Sequence, residues 1–318
     1  YKEMLEKEEI DAVSVCTPHF LHAPMTIYAL KEGKHVLCEK PIAMHVKEAD
    51  EMIGTAVKEG LKFGVVSKTV IEPFFKEAKS LLEKEELGRL YRAELFYCGI
   101  RTKSYYKMGL WRGLWSKEGG AVMINQAIHM IDLLHWYLGK PIELCGYVAN
   151  KCHEIEAEDQ ASALIIFEDN VPATLHINNI EIEIPTEPNL IEICGDQARM
   201  IIEYKRKLRI AKFADSIKNF IERSKGGNLD YVWTEIPYQE TKGWSPHLGL
   251  IGDFVDAVLE NRDPIFTGEQ ARTSLEIINA ITLSHFKGKK VRFPIDRDEY
   301  LILLKQLEKG TQSLPRYV

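Results

Sequence analysis

No stretch of this 318-residue chain approaches the roughly 18 consecutive apolar residues of a membrane-spanning helix. Its opening, Tyr1-Lys2-Glu3-Met4, has neither the basic start nor the apolar run of a secretory leader. A cytoplasmic protein with no membrane partner is the expectation. The six cysteines (Cys16, Cys38, Cys98, Cys145, Cys152 and Cys194) form no CxxC pair, and several sit inside apolar strand-like runs. They read as reduced, buried thiols of a reducing compartment. No run of five like charges occurs, no Lys/Arg stripe is interleaved with aromatics, and the formal net charge is −6. Nucleic acid is therefore not an expected partner. Metal-ligand spacing is also missing, because His19 and His22 stand at i, i+3 with no third ligand near them in sequence, so no metal is expected. Internal repeats and low-complexity segments are absent.

The remaining composition, 45% hydrophobic and 28% charged with 21 Gly and 13 Pro, is that of a globular protein. At roughly 150 residues per domain, two domains are expected. Residues 2–9 read as a short amphipathic helix and 11–16 (DAVSVC) as a buried parallel strand stopped by Thr17-Pro18. A helix over 19–32 ends at Gly33, a strand over 35–38 follows, a helix over 45–59 ends at Gly60, and a strand over 61–66 precedes a helix over 73–86 ending at Gly88. Alternating strands and helices predict a doubly wound parallel sheet. After residue 88 the rhythm changes to strand-like runs at 90–99, 142–151, 160–168, 171–179, 189–195, 199–203 and 207–213, broken by one long helix over 120–138. Amphipathic helices over 247–260 and 268–285 and a last strand over 290–295 complete the pattern. The expected fold class is thus α/β plus α+β: a parallel-sheet domain over 1–88, a domain with a large, mainly antiparallel open sheet over 89–295, and a tail helix in 296–318.

Val13-Ser14-Val15-Cys16-Thr17-Pro18, followed by His22, a helix, and Gly33-Lys34-His35-Val36-Leu37-Cys38-Glu39-Lys40-Pro41, resembles the glucose-fructose oxidoreductase, inositol dehydrogenase and MocA (Gfo/Idh/MocA) family. The resemblance continues through Gly119-Gly120, Asn125, His129 and Asp132 to a helix around Asp253-Phe254, so it covers nearly the whole chain. It implies a Rossmann domain binding NAD or NADP, with Thr17, Pro18, His22, Glu39 and Lys40 on the cofactor side. It also implies an open antiparallel sheet that holds substrate and makes a homodimer or homotetramer, and a cis peptide at Lys40-Pro41. By the same comparison the strand over 11–16 corresponds to the family's third or fourth. The unit carrying the glycine-rich pyrophosphate turn and the acidic residue that reads the ribose is then expected outside these residues, which contain no GxGxxG. The resulting partial Rossmann sheet is expected to keep the strand over 11–16 at its centre and to expose apolar groups on that strand's flank. Two departures stand out: Asn125 occupies a position where the family commonly has Asp, and residues 66–73 lack an Arg many relatives carry before the Pro.

Lys40 directly follows a strand at the carboxyl end of a parallel sheet, where such sheets bind ligands. A lysine there can donate a charged hydrogen bond to the oxygen of a secondary alcohol and favour its alkoxide. A lysine before a turn-forming proline is equally a common surface feature. His129 has Asn125 at i−4 and Asp132 at i+3, so the three can share a helix face, with the imidazole as acid or base. A buried histidine bonded to a carbonyl fits the same spacing. Asp132 either orients the ring or caps a backbone N–H. An amide only hydrogen-bonds, so Asn125 is a positioning group and the base is His129 or Lys40. The aromatic stretch 101–115 resembles the family's substrate loop, with Tyr106, Trp111 and Arg112 as sugar contacts. A loop buried in a domain junction or oligomer interface has the same composition. His247 is a further substrate candidate from the C-terminal segment, while Trp233 and Trp244 carry no readable role.

These residues point to an NAD(P)-dependent dehydrogenase acting on a sugar-like substrate (a sugar, cyclitol or nucleotide sugar). The competing expectation is a dinucleotide-sensing regulatory protein on the same scaffold, which could lose Lys40 and His129 freely. A third is a retained cofactor serving a transient oxidation. The runs 171–179 and 199–203 offer outer sheet residues for association between copies.

Overall fold

The computed structural model describes residues 1–6, 9–184, 186, 189–239 and 245–316. A short helix α1 (Lys2–Leu5) leads to β1 (Ala12–Val15), and a 3₁₀ turn, His19–Leu21, runs into α2 (His22–Lys31). Then come β2 (His35–Cys38), α3 (Val46–Glu59), β3 (Phe63–Val65) and α4 (Pro73–Glu83). The three strands are parallel in the order β1-β2-β3. Helix α3 buries Val46, Ala49, Met52, Ile53 and Ala56, the three-and-four spacing of one helical face. Its last turn closes on Gly60 at φ +68°, a conformation that costs a side chain and suits glycine. Strand β1 was expected at the centre of this sheet; among the described residues it pairs with β2 alone and stands at the sheet's edge. Pairing partners are set by the strands present, which the composition of one strand does not reveal.

The second sheet has nine strands in the order β11-β10-β9-β8-β4-β7-β6-β5-β12. They are β4 (Leu90–Cys98), β5 (Pro141–Ala149), β6 (Gln160–Phe167), β7 (Pro172–Asn178), β8 (Leu190–Gly195), β9 (Ala198–Glu203), β10 (Lys207–Phe213), β11 (Tyr231–Pro237) and β12 (Val291–Arg292). Seven of its eight pairings are antiparallel, and β4 and β7 at its middle run parallel. Strand β11 escaped the sequence reading because nearly every residue in it is exposed, so no alternation of apolar and polar residues marks it. The helices interleaved with this sheet are α5 (Lys103–Lys107), α6 (Ile128–Leu138), α7 (Ile217–Arg223), α8 (Pro246–Leu259), α9 (Gly268–Lys287) and α10 (Arg297–Glu308). Among the described residues no helix is long and apolar enough to cross a membrane.

Helix α9 joins the two sheets. It lies along β5 and also packs on α3 and α6, and one continuous apolar core includes Leu30 and Val36 of the first part, Ile131 of α6, Ile177 of β7 and Leu275 of α9. Gly146 of β5 permits the close approach, since a Cβ there would stand 2.8 Å from the Ile281 carbonyl oxygen. Helix α10 is stapled back to α3 by Lys47–Asp298 at 2.6 Å and Arg297–Asp50 at 2.9 Å. The tightest glycine is Gly195, where a Cβ would fall 2.1 Å from the Leu87 carbonyl oxygen, a backbone atom that cannot swing aside. Gly195→Ala is expected to destabilise the protein by about 1–3 kcal/mol, as overpacking does. A urea midpoint unchanged from the parent would contradict it.

The cysteines correct one expectation. All six are free, but Cys16, Cys145 and Cys152 are exposed and only Cys38 and Cys98 are buried. An apolar run does not say which of its two faces turns inward. The helix over 120–138 also differs from a single α-helix: Val122–Ala127 form a π-helical segment that passes into α6 and ends at Gly139. Val122, Ile128, Ile131, Leu134 and Leu138 are all buried.

Candidate active site

Lys40 emerges from β2, whose last three residues are buried, and its peptide bond to Pro41 is cis. Beneath it lies His22, fully buried, with Nδ1 2.7 Å from the Pro41 carbonyl oxygen and Nε2 2.8 Å from that of Thr17. The ring thus ties the turn leaving β1 to the turn leaving β2. Both ring nitrogens face backbone carbonyl oxygens, and the neutral ring donates its one N–H to one of them. Burial pushes its pKa down.

The Lys40 Nζ donates to the Asn125 carbonyl oxygen at 2.7 Å and to Asn125 Oδ1 at 3.2 Å. The Asn125 amide nitrogen donates in turn to Glu118 Oε1, whose other oxygen accepts the Gly113 N–H. An ammonium, an amide and a carboxylate therefore form a chain in which the amide turns its oxygen to the cation and its nitrogen to the anion. An aspartate at position 125 would set two carboxylates against each other. Glu118 supplies the negative charge one group further out, which gives the departure from the family's aspartate a physical reason. Burial lowers the Lys40 pKa to about 8, with Glu39, Glu118 and Asp132 opposing and Lys68 adding. Burial raises the Glu118 carboxyl to about 7.

The π segment has its own support. Glu158, fully buried, accepts the Ala121 N–H at 2.9 Å and the Met123 N–H at 3.2 Å, two donors that a helix start leaves unpaired. Ahead of it Gly119, at φ +79°, passes so close to Met44 that a Cβ would lie 2.8 Å from Met44 Cβ. Such π segments concentrate at functional sites. His129 follows at the start of α6, half-buried, with Nδ1 enclosed and without a partner. Burial, then the charges of Lys40, Lys68, Lys205 and His247, push its pKa well below the usual histidine value, so the ring is neutral at pH 7.

Asp132 was expected to orient that ring or to cap a backbone N–H. It is buried and accepts hydrogen bonds from Ser67 Oγ at 2.8 Å and from Ser274 Oγ instead. Three residues past His129, it ties α6 to Ser67, two residues beyond β3, and to Ser274 of α9. His247 is exposed near the start of α8, within electrostatic range of His129.

The aromatic stretch folds against this group. Tyr105 Oη accepts from Arg112 Nη1 at 2.6 Å and from Gln126 Nε2 at 2.8 Å. The Arg112 guanidinium lies 4.4 Å from the Tyr105 ring centre and 4.6 Å from that of Trp111. Trp111 packs at 4.8 Å on His19, whose Nδ1 is 2.9 Å from the Glu118 carbonyl oxygen. Tyr106 is buried, its hydroxyl bonded to Asn179 Nδ2. Glu118, Glu158, Tyr105 and Gln126 were missed from sequence; the signal for Glu118 was a carboxylate abutting a double glycine that must pack closely. Trp233 lies exposed on β11 beside Arg209, far along the sheet order, and Trp244 is outside the described residues.

Thr17 Oγ1, at the turn leaving β1, is buried without a partner. That orphaned hydroxyl, with Pro18, Glu39 and Lys40 on adjoining strand ends, fits the nicotinamide side of a dinucleotide at the carboxyl edge of a parallel sheet. A parallel sheet with such an edge, joined through one core to a large open sheet bearing the aromatic loop, is the two-part architecture of chains built on a dinucleotide-binding fold. Residues 1–67 match the oxidoreductase family with an NAD-binding Rossmann fold, and residues 75–201 match the GFO/IDH/MocA C-terminal domain. The chain belongs to the Gfo/Idh/MocA family. It is 39% identical to scyllo-inositol 2-dehydrogenase (NADP(+)) of Bacillus subtilis over 102 residues, covering 32% of this chain and 30% of that protein. It is 24% identical to scyllo-inositol 2-dehydrogenase (NAD(+)) of the same organism over 301 residues, 93% of this chain and 81% of the relative. Its fold matches the WlbA dehydrogenase from Bordetella pertussis, crystallised with NADH and UDP-GlcNAcA, with a TM-score of 0.74 at 24% identity over 92% of this chain and 82% of that one. Its match to the first of these relatives spans less than a third of that relative's length.

Proposed function

We propose that the protein is an NAD(P)-dependent dehydrogenase that oxidises a secondary alcohol of a sugar, cyclitol or nucleotide sugar. The observation that carries this reading is the Lys40 ammonium held by two Asn125 oxygens, with its third N–H unspent, within electrostatic range of a neutral His129. Lys40 donates that N–H to the substrate oxygen and stabilises the alkoxide as it forms. His129 accepts the hydroxyl proton, which its low pKa makes possible at neutral pH. A dinucleotide held there would supply the acceptor for the hydride of the carbinol carbon. Thr17, Pro18 and Glu39 lie where they can orient it, and Trp111 and Arg112 present an aromatic face and a charged donor to the sugar. The scyllo-inositol dehydrogenases among the relatives and the NADH and UDP-GlcNAcA of the WlbA structure support the substrate class. The test is reduction of NAD and NADP across a panel of cyclitols, aldoses and nucleotide sugars; no reduction with any of them by the full-length protein would overturn the reading.

The pH dependence follows from the two groups. Activity in the oxidation direction requires Lys40 protonated, so it falls as pH rises through about 8. It also falls on the acid side, well below the usual histidine pKa, as His129 becomes protonated. Glu118→Gln removes a negative charge that favours the ammonium, and the alkaline limb of kcat/KM is expected to move to lower pH. A limb that stays in place would disconnect Glu118 from Lys40.

We propose further that two copies associate through the outer face of the nine-stranded sheet. Leu164 is 47% and Tyr147 36% exposed there, beside a Phe96–His176 ring stack at 5.7 Å. In β9, by contrast, the outward Ile201 and Glu203 are already covered, Glu203 by Arg209 at 2.9 Å, so the run 199–203 contributes less than the sequence predicted. Sedimentation giving a monomer at micromolar concentration would refute the association.

A further inference from the structure

A pocket of 390 Å³ opens between the segment 101–114 and the turn 152–155. Its wall carries four cations, Arg101, Lys103, Lys107 and Arg112, and a single acid, Glu154. That acid is paired with Lys103. Among the described residues Arg101, Lys107 and Arg112 form no ion pair. Elsewhere arginines face carboxylates, as in Arg199–Glu192, Arg262–Asp253 and Arg297–Asp50. Three unpaired cations around one cavity repel one another, and an anion relieves that repulsion.

The donors are also unspent. Arg101 Nη1 makes only peripheral bonds, to Ile100 O at 3.1 Å and Gly99 O at 3.5 Å, and its Nε is buried with no acceptor. Arg112 lies flat on Tyr105 and Trp111 and has a single hydrogen bond, to Tyr105 Oη. The opposite wall is rigid. Buried Asp159 accepts the N–H groups of Lys151 at 2.6 Å, Cys152 at 2.8 Å and His153 at 3.0 Å. It also lies 3.0 Å from His153 Nδ1, while His153 Nε2 reaches the Arg101 carbonyl oxygen at 2.9 Å. One side of the pocket thereby fixes the main chain of an arginine on the other, so the cations are preorganised.

We infer that this pocket is an anion subsite, taking a carboxylate or phosphate on the end of the substrate remote from the reacting alcohol. Arg101 and Arg112 offer planar guanidinium forks that match either group, and Lys107 adds charge at the rim. The route to the reacting end runs through Arg112, Tyr105 and Gln126, the residue next to Asn125. The identity of the ligand's other end rests on the dehydrogenase reading; the affinity for an anion does not.

The experiment titrates the full-length protein with inorganic phosphate, with D-glucuronate and with neutral D-glucose, following heat and intrinsic tryptophan fluorescence. One or both anions are expected to bind, more weakly as salt rises, and glucose not to compete. Arg101→Gln with Lys107→Gln is expected to weaken binding at least tenfold, and the exposed Lys107→Glu, which disturbs no internal contact, at least threefold. Tighter binding of glucuronate assigns a carboxylate, and tighter binding of phosphate assigns a phosphate. Absence of binding by both anions, or an affinity unchanged in Lys107→Glu and in the double variant, overturns the subsite. Anion binding by a protein that reduces no dinucleotide would leave the subsite standing and remove the dehydrogenase.

Discussion

Lys40→Met is expected to lower kcat by about 10²–10⁴-fold, the range associated with a positioned proton-donating group, while the dinucleotide Kd stays within about threefold. Methionine keeps the length and apolar stem of lysine, so the half-buried stem still packs. What disappears is the ammonium that Asn125 holds with two oxygens and whose third N–H is proposed to meet the reacting alcohol. Because that N–H acts on charge that develops only in the transition state, its loss falls on kcat. Steady-state kinetics and direct titration of the cofactor separate the two effects. Equal losses in both would make Lys40 a structural lysine. The alkaline limb near pH 8 should vanish in the same variant, since the group that titrates there is gone.

His129→Asn carries the second large effect, again a fall in kcat of about 10²–10⁴-fold. Asparagine is smaller than the imidazole and polar, but it takes up no proton near neutrality. The His129 Nδ1 has no partner, so the substitution breaks no hydrogen bond at that atom and leaves the helix start to Glu158, which holds it independently. The acid limb is expected to disappear together with the activity. A fall of less than tenfold with the acid limb intact would pass the proton to Lys40. Far-ultraviolet circular dichroism checks that α6 survives the change.

The two catalytic candidates were legible for different reasons. Lys40 was visible because a short apolar run ending in Glu-Lys-Pro must stop at the carboxyl edge of a parallel sheet, and a strand end places a side chain reliably. His129 was visible through its spacing from the double glycine, but that spacing misplaced its partners. In a π segment residues separated by four positions do not stack as they do in an α-helix. Asn125 accordingly turns to Lys40 and Glu118, and Asp132 turns to two serines from β3's far end and from α9, 65 and 142 residues away in sequence. His22 illustrates the same limit: its place after Thr17-Pro18 was plain, whereas its engagement by two carbonyl groups depends on a turn 19 residues further on.

By itself the sequence determined the order and type of nearly all the elements, the change from alternating strands and helices to successive strands, and the position of Lys40. Each of these is a local matter of side-chain period, helix stops and turn residues, read within a few residues of chain. Only the tertiary structure decided that β1 lies at an edge, that β4 and β7 run parallel, that β11 closes the far side of the sheet, and that Glu118 completes the lysine's hydrogen-bonded chain. It alone also gathered Arg101, Lys107 and Arg112 around one cavity. Strand order and the meeting of charges depend on contacts between distant segments, where the gain from burying shared surface outweighs any local preference. A single strand or loop carries no record of its partner.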